Sequence, residues 1–359
     1  MKILVVGDGH SEIHEVAVAK AFRELGHEVE VFYWHKYFIT NNPVARYWLR
    51  AQNKFIQGPR ITALNRDLAA TAHRFIPEMI FIYRGTHVLL STILDIKTRI
   101  PSCAIVGYNN DDPFAPGHSR HLWKNYIASV PHYDVVFAYR HRNIEQLRRI
   151  GAKRVELLRS WFIPWLNQPI DLTDRDRETY ESDVVFVGHY EADERKALLE
   201  SVVKQGWQLR LFGPGYDWDP VIRQSQELAP LMPVRLVWGQ DYNKALCGAK
   251  IALCFLSKLN RDTYTRRCFE IPASGTLMLA EYTDDLASLY REGEEAEYFR
   301  TPEEMIAKIE LYMVDATRRK AVADAGFRRV YKDGHDVVSR MRYVLDTVAN
   351  KRGSAHENI

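Results

Sequence analysis

The pattern that most constrains the fold is an alternation of short apolar segments with amphipathic ones that starts at the first residue. Residues 2–6 have the composition of a buried strand, residues 12–25 have helical spacing, Gly26 ends that helix, and residues 28–33 form the next strand. A strand–helix–strand unit is typical of a parallel sheet. The first half is predicted to continue with strands at 79–83, 104–108, 134–138 and 154–158 and a helix at 144–150.

The second half repeats this alternation after a change in composition. Residues 161–181 carry two prolines and many charges, which predicts a linker. Further strands are predicted at 183–187, 209–212, 234–238, 251–255 and 276–280. A chain of 359 residues suits two domains. We predict domains at 1–165 and 166–335, a helix at 336–350 and a disordered tail at 351–359.

Composition excludes several classes of protein. A net charge of +3 does not require nucleic acid, and we expect none as a partner. The four cysteines lack CxxC spacing, so no metal site is predicted and buried reduced thiols are expected. The chain starts with a strand and has no apolar run of about 18 residues, so neither a signal peptide nor a membrane span is predicted. We expect a cytoplasmic protein.

The most informative segment lies between Asp262 and Glu270, two acidic residues separated by seven others. Arg266 and Arg267 stand between them, and a small-residue turn at 273–275 leads into the strand at 276–280. Loops of this kind lie at the carboxyl ends of strands, where doubly wound sheets bind ligands. Arginine suits phosphate, and a carboxylate can accept hydrogen bonds from both ribose hydroxyls. The segment therefore predicts a nucleotide site.

This spacing resembles the acid-x7-Glu signature of group 1 retaining glycosyltransferases. The longer string RCFEIPASGTLMLAEY is similar to the CgeB-like (spore-maturation-type) branch, although the first acid, usually Glu, is Asp262 here. The resemblance implies an α/β GT-B fold, with two Rossmann-like domains facing a central cleft and a C-terminal helix crossing back to the first domain. Residues 1–165 would then lie on the acceptor side, and residues 166–335 would bind the nucleotide sugar.

The same resemblance implies transfer of a sugar from a nucleotide-diphosphate sugar to a glycan, lipid-linked or protein acceptor. Transfer would proceed with retention and without a metal or other cofactor. Arg266, Arg267 or both would neutralise the departing diphosphate, Glu270 would bind the ribose, and Asp262 would lie near the transferred sugar.

Glycine-containing turns supply the other candidates for the donor site. Gly188 would let the backbone approach the donor phosphates, and Arg195 would add a cation unless it only decorates a helix face. Gly213 opens a Gly-Pro-Gly loop, which the resemblance places near the base, with an aromatic residue for stacking. The residues that the resemblance implies in contact with the nucleotide here are Tyr216 (or Trp218) and Tyr242.

Two loops of the first half are candidates for the acceptor side. His10 follows a Gly-Asp-Gly turn and is expected to touch substrate or transfer a proton, or else to be an exposed residue near a helix cap. Asp112 lies in an Asn-Asn-Asp-Asp-Pro turn and is a candidate base, or else a residue that only stabilises the turn. The turn after the first strand lacks the third glycine of a dinucleotide fingerprint, so an NAD-dependent enzyme is disfavoured.

Basic and aromatic residues mix in two segments of the first half, 46–55 and 120–126. Such faces dock some transferases on membranes, which keeps peripheral contact at the inner face of the membrane open. The same mixture could bind single-stranded nucleic acid, or the segments could be ordinary amphipathic helices with a buried Trp. A sugar-nucleotide epimerase and a non-catalytic sugar- or coat-binding protein also remain open as functions for the chain.

Overall fold

The computed structural model describes residues 1–117 and 119–356, with side chains up to residue 349. The chain forms two compact units. Unit 1 contains residues 1–160 and the segment from 337 onward, and unit 2 contains residues 161–336.

Each unit contains one sheet. The strands of unit 1 are β1 (Lys2–Gly7), β2 (Glu28–Tyr33), β3 (Met79–Tyr83), β4 (Ala104–Asn109), β5 (Val135–Ala138) and β6 (Val155–Leu157). The strands of unit 2 are β7 (Ser182–Val187), β8 (Leu209–Phe212), β9 (Ala249–Cys254), β10 (Leu277–Glu281) and β11 (Glu297–Phe299).

Helices connect successive strands, and three more helices follow the last strand in the described part of the chain. They are α1 (Glu15–Glu24), α2 (Pro43–Phe55), α3 (Pro59–Phe75), α4 (Leu90–Arg99), α5 (Arg120–Ser129), α6 (His141–Arg149), α7 (Asp174–Tyr180), α8 (Arg195–Lys204), α9 (Gly215–Ile222), α10 (Gly239–Cys247), α11 (Arg267–Ala273), α12 (Asp284–Ala287), α13 (Pro302–Val314), α14 (Ala316–Lys332) and α15 (Val337–His356). The last of them, α15, packs against α1 within unit 1.

Both sheets are parallel. The strand order is β2-β1-β3-β4-β5-β6 in unit 1 and β11-β10-β9-β7-β8 in unit 2. In unit 1, β2 pairs with one edge of β1 and β3 pairs with the other edge. In unit 2, β8 and β9 flank β7 in the same way. The switch points therefore lie between β1 and β3 and between β7 and β9. In open α/β sheets, ligands bind at the carboxyl ends of the strands beside such a point.

Burial explains why these segments are strands. All five residues of β3 are buried, as are Ile3, Leu4, Val5 and Val6 of β1. A parallel sheet is covered by helices on both faces, so its central strands are continuously apolar.

Helix α2 begins where the sequence provides a cap. The Asn42 side chain accepts hydrogen bonds from the backbone of Val44 (2.9 Å) and Ala45 (3.1 Å). Pro43 takes the first helical position, where its missing N–H is not needed.

The predicted linker at 161–181 is instead part of unit 2. Trp161, Phe162 and Ile163 are completely buried, and residues 174–180 form α7. The Phe162 backbone donates to His335 (3.1 Å) at the other end of unit 2, and its ring packs on Tyr331 at 4.7 Å. Apolar packing here outweighs the prolines and charges that suggested a linker.

Three other predicted boundaries differ from the structure. The predicted strand 234–238 is only an isolated bridge at Arg235, because Leu236 and Trp238 are half-exposed and bury no face. Helix α1 begins at Glu15 and not at residue 12. The predicted tail at 351–359 falls partly within α15 and partly, at 357–359, outside the described residues.

Candidate functional site

Two glycines follow the neighbouring strands β7 and β8, beside the switch point of unit 2. Gly188 follows β7, donates to the Phe212 carbonyl (2.9 Å) and accepts from the Trp218 indole (2.8 Å). Gly213 follows β8, and a Cβ atom on it would overlap the Gly188 carbonyl oxygen. Gly213 therefore needs to be glycine, because its backbone packs directly on the backbone of Gly188.

The Arg267 guanidinium lies against Gly188. A Cβ atom on Gly188 would come within 2.9 Å of its Nη1, so glycine makes the space that the guanidinium fills. Its Nη2 donates to the Phe255 carbonyl (3.1 Å), and the group lies 5.7 Å from the centre of the Phe186 ring. Among the described residues, no atom accepts a hydrogen bond from its buried Nε. A buried cationic donor without an acceptor is suited to an anionic ligand.

Glu270 lies one turn further along α11 and is also buried. Its Oε2 accepts a hydrogen bond from the Tyr242 hydroxyl (2.7 Å), and its Oε1 lies 3.9 Å from Arg266 Nε. Burial raises the pKa of the Glu270 carboxyl, while Arg266, Tyr242 and Arg267 oppose this shift. Burial also raises the pKa of the Tyr242 phenol well above 10, so the hydroxyl remains a donor. Two guanidiniums and one carboxylate leave the cluster positively charged.

Arg266 packs on Trp161, a residue of the segment that was predicted to be a linker. Its guanidinium lies 5.7 Å from the centre of the Trp161 ring. Neither Trp161 nor Phe186 was predicted as part of the site. The apolar triplet at 161–163 was the available signal for the first, and the position of Phe186 near the end of β7 was the signal for the second.

Asp262 lies in the loop between β9 and α11. Its backbone donates to the Ser257 carbonyl (2.9 Å), and the residue is half-buried. This loop starts at the carboxyl end of β9, on the other side of the switch point from Gly188. The structure thus brings Gly188, Gly213 and Arg267 together, and it joins Tyr242 to Glu270 beside them.

Arg195 has a different role from the predicted one. It is buried, its Nε and Nη2 each donate to Asp193 at 2.7 Å, and its Nη1 donates to the His189 carbonyl at 2.8 Å. These bonds hold the loop after β7, and we leave Arg195 out of the proposed donor site.

The two aromatic candidates of the Gly-Pro-Gly loop differ in exposure. Tyr216 is 78% exposed at the start of α9, whereas Trp218 is completely buried. The Trp218 ring packs on Phe186 in the core of unit 2, so only Tyr216 presents a ring to solvent.

In unit 1, the turn after β1 is occupied by a side chain of the protein. The buried Glu15 carboxylate accepts a hydrogen bond from the Gly9 backbone, and a Cβ atom on Gly7 would clash with it. Burial raises the pKa of Glu15. A carboxylate thus fills the position where dinucleotide-binding turns hold phosphate.

His10 and Asp112 have different surroundings. His10 is exposed, and its Nδ1 lies 2.7 Å from Asp8 Oδ2. Asp112 is completely buried. Its Oδ1 accepts from the Phe114 backbone (3.0 Å) and from Asn143 Nδ2 (2.9 Å). This is the turn-stabilising role, so we do not include Asp112 among the proposed catalytic residues.

A pocket of about 510 Å³ opens at the switch point of unit 1. It is lined by residues that follow β1, β2 and β3, by the last turn of α2 and by the start of α5: Asp8, Trp34, Asn53, Lys54, Phe55, Arg84, Thr86, His87, Ser119, His121 and Leu122. Neither Trp34 nor His87 was predicted as part of a site, although both closely follow predicted strands at this edge.

His87 is buried in the wall of this pocket as a neutral imidazole. Its Nε2 lies 2.7 Å from Asn53 Oδ1, its Nδ1 lies 2.9 Å from Thr86 Oγ1, and its ring stacks on Trp34 at 5.3 Å. Burial lowers the pKa of His87 to about 4.

We expect His87 to make the stability of the protein pH-dependent. The unfolded chain takes up a proton at His87 near pH 6.5, but the folded protein does so only near pH 4. The stabilisation is therefore present above pH 6.5 and is lost as the pH falls towards 4, by up to about 3 kcal/mol. Urea unfolding of the wild type and of His87→Gln at pH 7 and pH 4.5 measures this. An equal decrease in the free energy of unfolding between pH 7 and pH 4.5 in both proteins would contradict this expectation.

Unit 2 also has a cavity of about 380 Å³ at the opposite edge of its sheet. It is lined by the amino ends of β7, β9 and β10, including Ser182, Ala249 and Leu277. Parallel sheets bind ligands at their carboxyl ends, so we place no ligand in this cavity.

Within the described part of the chain, no group of three or more His, Cys, Asp or Glu residues is arranged to hold a metal ion. None of the described helices combines the length and the apolar character needed to cross a membrane.

Comparison with known proteins agrees with this architecture. Residues 195–346 match the family model described as glycosyl transferase-like. No curated protein matches the sequence. Among solved structures, Anabaena HepE in complex with UDP-glucose has a TM-score of 0.69 at 14% identity, covering 98% of this chain and 100% of that one.

Two further structures extend the comparison. Sucrose-phosphate synthase from Thermosynechococcus elongatus has a TM-score of 0.68 at 12% identity and covers 99% of this chain and 100% of that one. Trehalose 6-phosphate synthase from Burkholderia multivorans has a TM-score of 0.62 at 10% identity, with 98% and 99% covered. The chain therefore has the GT-B fold predicted from its sequence, and its residues 195–346 are similar to a glycosyl transferase-like family.

Proposed function

We propose that the protein transfers a sugar from a nucleoside-diphosphate sugar to an acceptor, with the donor bound at the switch point of unit 2. The observation that carries the proposal is the buried Arg267 guanidinium, which fills the space left by Gly188 and keeps an unpartnered Nε. The complexes of Anabaena HepE with UDP and UDP-glucose support the same class of donor.

The donor diphosphate would lie against Gly188 and Arg267, with Arg266 adding a second positive charge. As the bond to the sugar breaks, negative charge builds on the departing diphosphate. Fixed cations beside it stabilise that charge, which is usually a large part of catalysis. Glu270 would accept from the ribose hydroxyls through Oε1, since its Oε2 already accepts from Tyr242. Tyr216 would stack on the base, and Asp262 would approach the transferred sugar.

The acceptor would bind in the pocket of unit 1. Its rim offers Lys54, Arg84 and Asp8 for polar contacts, and Trp34 and Phe55 for the face of a sugar ring. Asp8 orients the His10 imidazole through Nδ1, which leaves Nε2 to contact an acceptor hydroxyl. We further propose retention of configuration and membership of the CgeB-like branch, on the resemblance of the segment from Asp262 to Glu270.

Donor binding and its independence of metal can be measured together. We expect one nucleoside-diphosphate sugar, with UDP-glucose tested first, to raise the melting temperature, by an amount that grows with the logarithm of its concentration relative to Kd. The same shift is expected with EDTA present, because arginines supply the positive charge. Release of nucleoside diphosphate in the presence of acceptor should also persist in EDTA.

Two results would contradict this proposal. The absence of any shift across the common nucleoside-diphosphate sugars would remove the donor site. Complete loss of transfer in EDTA, restored by Mg²⁺ or Mn²⁺, would show that a cation is required, and the pair of acidic residues at Asp111 and Asp112 would be the first place to look for it.

A further inference from the structure

Helix α2 exposes an unusual set of side chains. Only Leu49 and Gln52 of its thirteen residues are buried. Its exposed apolar residues are Val44 (80%), Tyr47 (74%), Trp48 (63%) and Phe55 (54%). The alternative of an ordinary amphipathic helix with a buried Trp therefore does not hold for this segment. Five of the sixteen large apolar residues exposed in the described part of the chain lie between 39 and 55.

These side chains are arranged in stripes. Positions 44, 47, 48, 51 and 55 are three or four residues apart and share one face of the helix. Arg46, Arg50 and Lys54 are four apart and share the neighbouring face. The inward face consists of positions 45, 49 and 52. Helix α2 thus has an apolar stripe whose residues Val44, Tyr47, Trp48 and Phe55 are exposed, with a basic stripe beside it.

Charge is also unevenly distributed around this helix. Residues 31–66 contain no Asp or Glu, and they contain six basic residues: Lys36, Arg46, Arg50, Lys54, Arg60 and Arg66. The net charge of the whole chain is only +3. The segment therefore carries twice the net charge of the protein, and the rest of the chain is net acidic.

We propose that α2 is an interfacial helix through which unit 1 binds an anionic membrane surface. Tyr and Trp side chains favour the boundary between lipid headgroups and acyl chains, and a Lys/Arg stripe beside them attracts anionic headgroups. A symmetric contact between α2 helices of two copies is disfavoured, because two such basic segments repel each other. Nucleic acid would pair with the basic stripe but would leave Val44 and Ala51 without apolar contacts.

The position of α2 connects this surface to the proposed acceptor site. Its last turn, Asn53 to Phe55, lines the pocket of unit 1. On the proposed function, an acceptor held at the membrane would be presented beside that pocket. The membrane contact itself does not depend on catalysis and can be measured alone.

Vesicle co-sedimentation tests the proposal. The full chain should bind vesicles of phosphatidylcholine mixed with phosphatidylglycerol, bind weakly to phosphatidylcholine alone, and lose binding as salt rises. The pairs Tyr47→Ala/Trp48→Ala and Arg46→Gln/Arg50→Gln should each reduce the bound fraction by about fivefold or more. These side chains are exposed, so both variants should keep the thermal shift with nucleoside-diphosphate sugar.

Matched controls separate the helix from general effects of charge and exposure. Lys20→Gln/Arg149→Gln removes two charges of unit 1 that lie in surface pairs with Glu24 and Glu145, and it should bind like the wild type. Trp238→Ala removes a half-exposed Trp of unit 2 and should also have no effect.

Three outcomes would overturn the proposal. The first is equal binding to neutral and anionic vesicles, or binding to neither. The second is an equal loss of vesicle binding in Lys20→Gln/Arg149→Gln and in Arg46→Gln/Arg50→Gln, which would indicate an effect of net charge. The third is a concentration-dependent dimer that the α2 variants abolish, which would make the stripe a contact between copies. Because donor binding is measured separately, failure here leaves the proposed function standing.

Discussion

Replacing Arg267 by alanine should reduce kcat for sugar transfer by about 100-fold or more. Its guanidinium is the cation closest to Gly188, where we place the donor diphosphate. Removing one fixed group that stabilises developing charge typically costs about 10²–10³ in kcat. Arg267→Lys should recover only part of the loss, because an ammonium keeps the charge but not the planar fork of donors.

Controls must separate this effect from misfolding. Arg267 also donates to the Phe255 carbonyl, so thermal unfolding of each variant should be measured first. Arg223→Ala removes an exposed arginine at the end of α9 and should leave both kcat and donor affinity unchanged. A folded Arg267→Ala protein with full kcat would show that the diphosphate binds elsewhere.

Replacing Glu270 by glutamine should weaken binding of the nucleoside diphosphate by about 10- to 100-fold. Hydrogen bonds to a charged group are each worth about 1.5–3 kcal/mol, and 1.4 kcal/mol is a factor of ten. Removing a negative charge beside a diphosphate would by itself strengthen binding. A decrease in affinity therefore identifies the lost hydrogen bonds to the ribose as the larger effect.

An analogue isolates this contact. Calorimetry with a 2′,3′-dideoxynucleoside diphosphate should show weak binding to the wild type and no further loss in Glu270→Gln, because the hydroxyls are already absent. Tyr242→Phe keeps the carboxylate and should change affinity less than Glu270→Gln does. Glu294→Gln removes an exposed carboxylate of unit 2 and serves as the control. A loss of equal size with both ligands would exclude the ribose contact.

Local sequence predicted most of the strands and singled out the main motif. The spacing and number of apolar residues correctly predicted β1, β3 and most strands of unit 2. A strand that is covered on both faces of the sheet must be apolar along its length. The segment from Arg266 to Glu270 was predicted as a site because its spacing is local. The same method failed at 234–238, where an apolar run has no partner strand along its length.

The contacts that make the site depend on distant residues. Tyr242 reaches Glu270 across 28 positions, and Trp161 packs on Arg266 although its neighbours suggested a linker. Arg195 and Asp112 have the residue types and positions of site residues, yet their polar atoms are used by neighbours brought close by folding.

The sequence alone determined that the chain alternates strand and helix in two halves and carries a nucleotide-type motif at the carboxyl end of a strand. These features follow from periods of two and 3.6 residues and from spacings within one loop. Only the tertiary structure decided which polar groups remain available and which apolar faces remain exposed. Trp123 and Trp48 both lie in basic, aromatic helices, yet one is completely buried and the other is 63% exposed. Exposure depends on what the rest of the chain packs over a face, and no local period encodes that.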